Sequence, residues 1–162
     1  MKLLSFDQST THSGWAVFLN DQYDHSGVID KHKIKDSELR FKEMYEGIHD
    51  LIVAEKPDLV VLENTQAQGG NMGTYKLLCQ LQGAIMGMCY ASGIKFCVMA
   101  PTQWRRILSF FQGPKVKRDE LKRQSVEYAK KFGIDGSEDR AEAACIGAAY
   151  IINNADEGID IE

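Results

Sequence analysis

The stretch Leu3–Val17 constrains the fold most. Leu3, Leu4 and Phe6 form a short apolar run that Asp7 ends, Gln8 to Ser13 are turn formers, and Trp15, Val17 and Leu19 resume a period-two pattern. This predicts a strand, a tight polar turn and a returning strand. Gly14 is expected to supply the unusual backbone angles of the return. A carboxylate closing a buried strand is costly unless it has a partner. Asp7 therefore either accepts hydrogen bonds from the turn amides that follow or serves as a metal ligand or catalytic acid at the rim of a sheet.

The chain has 162 residues, enough for one domain with a substantial core and too few for two. One domain is expected over 1–154, followed by an acidic, frayed tail over 155–162. No apolar run approaches the ~20 residues of a membrane helix, and the N-terminus lacks the features of a signal peptide. Cys79, Cys89, Cys97 and Cys145 lie among apolar neighbours without C-x-x-C pairing, and so read as reduced core residues of a cytoplasmic protein. His12, His25, His32 and His49 show no metal-ligand spacing and read as surface or turn residues.

The net charge of −4 argues weakly against nucleic acid, but its distribution does not. Between Trp104 and Lys131 there are nine basic residues against three acids, so a basic patch sits on an acidic body. Such a patch either keeps a helix face soluble or holds phosphates, because steering depends on the local field.

Further along, Asp24–Ile29 is expected to be a short edge strand. Ser37 looks like a helix N-cap, and Leu39, Phe41, Met44, Tyr45, Ile48, Leu51 and Ile52 repeat at helical spacing until Pro57. Leu59–Glu63 is a second apolar run closed by an acid. If these two strands are parallel neighbours, Asp7 and Glu63 meet at the carboxyl edge, where open α/β sheets place their sites. Asn64–Thr74 reads as a loop. Tyr75–Ala91 reads as a helix in which Gly83, Ala84 and Gly87 form a narrow stripe, packed either on its own sheet or on a partner subunit. Ile94–Met99 is a strand, Pro101 and Thr102 open a short helix, and Lys117–Phe132 is a basic amphipathic helix. A last helix starts near Ser137, with Asp139 and Glu142 sharing a face.

Taken singly, these acids have ordinary structural explanations; acids at a helix N-terminus complement its dipole. Together, Asp7, Glu63, Asp139 and Glu142 each stand at the end of an element. Four carboxylates at one edge repel one another unless cations intervene. Oxygen ligands select Mg²⁺ or Mn²⁺ rather than zinc. Two such ions roughly 4 Å apart activate a water and stabilise the leaving oxygen of a phosphodiester.

The ordered set Phe6-Asp-Gln-Ser9, Leu59-Val-Val-Leu-Glu63 and Glu138-Asp-Arg-Ala-Glu-Ala-Ala144 resembles the RuvC-type Holliday-junction resolvases, of the small phage kind, over nearly the whole chain. The resemblance implies an RNase H-like α/β fold, a five-stranded mixed sheet flanked by helices. It implies a homodimer that nicks opposed strands of a four-way DNA junction in recombination and repair, using Mg²⁺, with Mn²⁺ as a substitute. The family's four catalytic, metal-binding acids fall on Asp7, Glu63, Asp139 and Glu142, although the last is usually Asp. Lys115 and Lys117 are the counterparts of its phosphate-contacting bases, with Arg118, Lys122 and Arg123 as further DNA contacts. The loop after Glu63 lacks the family's aromatic wedge, leaving Met72 as its apolar probe. Two other classes compete. Asp7-Gln-Ser-Thr-Thr-His-Ser-Gly14 also looks like the phosphate hairpin of sugar kinases, which need a second domain. The third reading is a catalytically inactive junction-binding module.

Overall fold

Side chains along a strand alternate between the faces of its sheet, and here the two faces carry separate cores. The computed structural model describes residues 1–67 and 71–157. Its strands β1 (Lys2–Asp7), β2 (His12–Leu19), β3 (Gln22–Asp30), β4 (Leu59–Glu63) and β5 (Lys95–Met99) form one sheet in the order β3-β2-β1-β4-β5. The β1–β2 and β2–β3 pairs are antiparallel, and the β1–β4 and β4–β5 pairs are parallel. Helices α1 (Ser37–Glu55) and α2 (Met72–Ser92) belong to one face, where Leu4, Phe6, Val60 and Leu62 pack with Met44, Ile48, Leu81 and Ile85. Helices α3 (Pro101–Ile107), α4 (Arg118–Ala129) and α5 (Glu138–Glu157) belong to the other, around Leu3, Val61, Trp104 and Ile146. Asp7 continues the parity of Leu3 and Ser5, and Glu63 that of Leu59 and Val61. Both acids therefore fall on the α5 side.

Helix α5 lies unusually close to the sheet. Its inward residues Ala141, Ala143, Ala144, Ala148 and Ala149 are buried and small. Ser5 Oγ donates to the Ala143 carbonyl at 2.7 Å. A Cβ at Gly147 would stand 2.5 Å from Phe18 Cε2 and 2.7 Å from Ser5 Oγ. Gly14 is needed for the same reason, and not for the turn. It lies within β2, its φ is not positive, and a Cβ there would sit 1.9 Å from the Asp139 carbonyl oxygen. The turn before it is instead closed by hydroxyls, with Ser9 N donating to Ser13 Oγ at 3.0 Å and Thr11 N to Ser9 Oγ at 3.1 Å.

Other boundaries move for local reasons. Strand β3 starts at Gln22, earlier than expected, because Asn20 and Asp21 both take positive φ (48° and 66°) and close a two-residue hairpin whose twist suits the strands. Asp36, and not Ser37, caps α1, its carboxylate accepting from Leu39 N at 2.8 Å. Asn71 caps α2 through Thr74 N at 3.1 Å, so Met72 and Gly73 belong to that helix rather than to a loop. Of the stretch Asn64–Thr74 expected to be a loop, 68–70 lie outside the described residues. Helix α4 begins at Arg118 and passes into a 3-10 turn at Lys130–Phe132. Helix α5 runs to Glu157, into the expected tail, of which 158–162 lie outside the described residues. Cys79 is exposed and is not a core residue. The Gly83–Gly87 stripe does not pack on its own sheet, since a Cβ at Gly83 or Gly87 meets nothing within 4 Å. Among the described residues no helix is long and apolar enough to cross a membrane.

Gly14→Ala tests the close approach of α5. Two backbones cannot yield as a flexible side chain does, so the start of α5 must shift, at a cost of about 1–3 kcal/mol. Urea denaturation should show that loss, whereas Gly73→Ala, whose new methyl makes only an ordinary 3.7 Å contact with Asn71 Oδ1, should not.

Candidate active site at the carboxyl edge of the sheet

Parallel pairing of β1 with β4, with Phe6 opposite Leu62, delivers Asp7 and Glu63 to the same edge. Gln8 fastens that edge by donating its Nε2 to the Glu63 carbonyl at 2.5 Å. The first turns of α5, held against Gly14, bring Asp139 and Glu142 to it. Charges from Glu142, Glu63 and Asp139 all act on Asp7. The turn amides do not claim the Asp7 carboxyl, which shares a hydrogen bond with Glu142 instead. The structural explanation of Asp7 as a turn acceptor therefore fails.

The electrostatics follow from crowding. Burial, then the Glu142 and Glu63 charges, raise the pKa of Asp7 well above the usual carboxylate range. Burial pushes Glu63 up to about 7, against the opposing pull of the Trp104 hydrogen bond and of Arg105 and Arg118. Burial also raises Glu142, opposed by the Asp7 hydrogen bond and the cations Arg105, Lys122 and Arg118. Asp139 is raised by burial too, and is partly relieved by His12 and Lys122. These acids thus favour holding protons in the folded chain, chiefly because burial disfavours their charged form, with neighbouring acid charge adding to it at Asp7 and Glu63.

The four acids are neighbours without forming a tight cage. No three of them bring carboxylate oxygens within 4.8 Å of one another. Glu63 Oε2 accepts from Trp104 Nε1 at 2.7 Å, and Glu142 lies 3.8 Å from Arg105 Nη2. Trp104 and Arg105 are site residues that sequence reasoning missed. The signal was available: β5 ends at this same edge, so the helix that follows it must open beside the acids. The Trp104 ring is fully buried, Arg105 stacks over it at 4.8 Å, and Arg105 Nε is buried without a hydrogen-bond partner.

The basic residues divide into two groups. Lys122 is paired with Glu138 at 2.5 Å, and Arg123 forks onto Glu120 at 2.7 and 2.9 Å. Lys115 and Lys117 are exposed and have no ion pair among the described residues. Arg118, also exposed, is near enough to act on Glu63 and Glu142. Met72 stands 68% exposed on the first turn of α2. The histidines lie at the surface, as the sequence suggested, and two of them join a further ligating group. His12, Asp30 and His32 bring ligand atoms within 4.8 Å of one another, through strand pairing rather than spacing in the chain.

No family model matches the chain. Over 108 residues it is 31% identical to the crossover junction endodeoxyribonuclease RuvC of Chlorobium phaeovibrioides, covering 64% of this chain and 57% of that protein. The chain thus matches little more than half the length of that relative. T. thermophilus RuvC, solved in complex with a Holliday junction substrate, superposes with a TM-score of 0.73 at 14% identity, over 96% of each chain. Fowlpox virus resolvase, solved with Holliday junction DNA, superposes at 0.67 and 18% identity, over 95% of this chain and 99% of that one. The fold is that of the RuvC-type resolvases. The five-stranded mixed RNase H-like sheet expected from the sequence is therefore present, and the acid edge is the carboxyl edge of a RuvC-type sheet.

The raised pKa values fix a sign. Glu63 moves from an ordinary 4.5 to about 7 on folding, so the unfolded chain releases this proton first. Its contribution to stability is full below about 4.5 and is lost as pH rises through about 7. Asp7, Asp139 and Glu142 shift in the same direction and add to it. In melts without divalent cations, Tm should fall across that window, and less steeply in Asp7→Asn. Adding Mg²⁺ should raise Tm above the window and not below it. A Tm indifferent to cations at every pH would show that this edge binds none.

Proposed function

We propose that this chain is a structure-selective DNA endonuclease of the resolvase type. It cleaves four-way junctions and other branched DNA as a homodimer in DNA recombination and repair. One observation carries the reading: four carboxylates stand together at one edge of a resolvase fold, each with its pKa raised by burial, and neighbouring acids of the group add to the rise at Asp7 and Glu63. Two solved proteins with that fold, T. thermophilus RuvC and fowlpox virus resolvase, were solved with Holliday junction DNA.

An all-oxygen donor set with excess negative charge fits hard divalent cations. Asp7, Glu63, Asp139 and Glu142 would hold them, two Mg²⁺ per site with Mn²⁺ as substitute. Bound there, the ions would supply an activated water and stabilise the leaving oxygen of a phosphodiester. The chain's own contribution is to place these groups. The Trp104 N–H fixes the orientation of Glu63, and Arg105 steadies Glu142. Lys115, Lys117 and Arg118 are free to take backbone phosphates, which position DNA without reading its sequence. Lys122 and Arg123 contribute less while Glu138 and Glu120 neutralise them.

Cleaving two opposed strands calls for two sites related by a two-fold axis, and hence for an isologous interface. The open Gly83–Gly87 stripe of α2 supports placing that interface there, since a partner helix can approach it closely. Gly87→Glu should then give a monomer in sedimentation; an unchanged dimer would place the interface elsewhere.

The decisive experiment is a junction-nicking time course in Mg²⁺ beside a gel shift in Ca²⁺. Asp7→Asn should fold and bind four-way DNA at least as well as the parent while nicking falls by roughly a thousandfold or more. Glu63→Gln and Asp139→Asn should behave alike. Glu142→Asp should retain activity. Near-parental nicking by Asp7→Asn would remove the acid edge from the mechanism.

A further inference from the structure

Beside the acid edge lies a second group of ligating side chains with different chemistry. His12 opens β2, and its register partner across the ladder is Asp30, the last residue of β3. His32 follows two residues later, and the chain there is tied back by Lys31 N donating to the Thr11 carbonyl at 2.8 Å. Asp30 Oδ1 accepts from His32 N at 3.0 Å, lies 2.6 Å from His32 Nδ1 and lies 3.4 Å from His12 Nε2. The two imidazoles stack at 5.2 Å with 17° between their planes. All three side chains are partly exposed, so an ion can reach them.

We propose that His12, Asp30 and His32 form a three-ligand site for a zinc-class divalent cation, separate from the four carboxylates. The ligand set decides the class. Two imidazole nitrogens and one carboxylate suit Zn²⁺, Co²⁺ or Ni²⁺, whereas all-oxygen sets suit Mg²⁺. Strand pairing holds two of the ligands at fixed separation before any ion arrives, and the loop bond at Lys31 holds the third. The ion takes the ring nitrogen that now faces Asp30, so His32 ligates as a neutral imidazole whose one proton sits on its other ring nitrogen; a proton goes to solvent only from a ring that was charged beforehand. A three-ligand site leaves a fourth position open to water or to an incoming anion. An ion here would join the start of β2 to the segment after β3 and place positive charge on the Asp139 flank, which His12 already influences.

The test uses the full chain, zinc chloride as the probe and side-chain ¹⁵N NMR of the four histidines. Zinc should move the His12 and His32 ring nitrogens in one saturable event, with His25 and His49 unmoved, and Mg²⁺ at the same concentration should move none. Asp30→Asn and His32→Gln should each weaken zinc binding at least tenfold, while Asp7→Asn should leave it intact, separating this site from the acid edge. Rings unmoved by zinc, all four histidines shifting together without saturation, or a response lost in Asp7→Asn would overturn the proposal.

Discussion

The site depends on how closely α5 can lie against β1 and β2. Helix and sheet usually keep side chains between them; here Gly14, Ser5 and Gly147 remove most of that thickness on the contact line. The Asp139 backbone rests on Gly14, whose register partner is Asp7. Backbone contact thus sets the distance from the acids of α5 to the acid of β1. Interiors are close-packed and do not yield gradually, so enlarging any of these small residues moves the acids as well as the core.

That proximity has an electrostatic cost, and the surroundings offset only part of it. Trp104 donates one hydrogen bond to Glu63, while Arg105, Arg118 and Lys122 set positive charge near Glu63 and Glu142. Carboxyl pKa values remain raised nonetheless. A fold selected for stability alone would match these charges or replace them with apolar groups, since buried ionised pairs rarely favour folding over packed hydrophobes. Retained, unbalanced acids are what a cation-dependent site requires, and perturbed titration concentrated at one edge is a recognised mark of functional sites. The two ligand groups on this rim also differ in kind. Carboxylates gather at the centre of the edge, while imidazoles gather on the flank formed by β2 and β3, so the two present ligand sets of different chemical class.

Much of this was legible in one dimension. Apolar runs closed by Asp7 and Glu63, a helical repeat ending at Pro57, and acids opening a small-residue helix are local patterns. Local patterns report strands, helices and their ends because the chain's periodicities do so directly. Two similar runs, each closed by an acid, made Asp7 and Glu63 meet on the condition that β1 and β4 are parallel neighbours, and the strand pairing meets that condition. What sequence determined by itself was therefore the order of elements and the placing of four acids at their ends.

Tertiary structure decided the rest. Gly14 looks the same in a sequence whether it frees a turn or admits a helix backbone; only the position of Asp139 distinguishes them. Asp36 and Ser37 are both good caps, and hydrogen-bond geometry selects between them. Trp104 and Arg105 became site residues because β5 ends beside β4, and Lys122 and Arg123 lost their free charge to Glu138 and Glu120. His12, Asp30 and His32 have no ligand spacing along the chain, since one lies far from the others and strand pairing joins them. Each case turns on contacts between residues remote in sequence, or on a choice between near-equal local options, and such choices are settled only when the sheet and α5 close on one another.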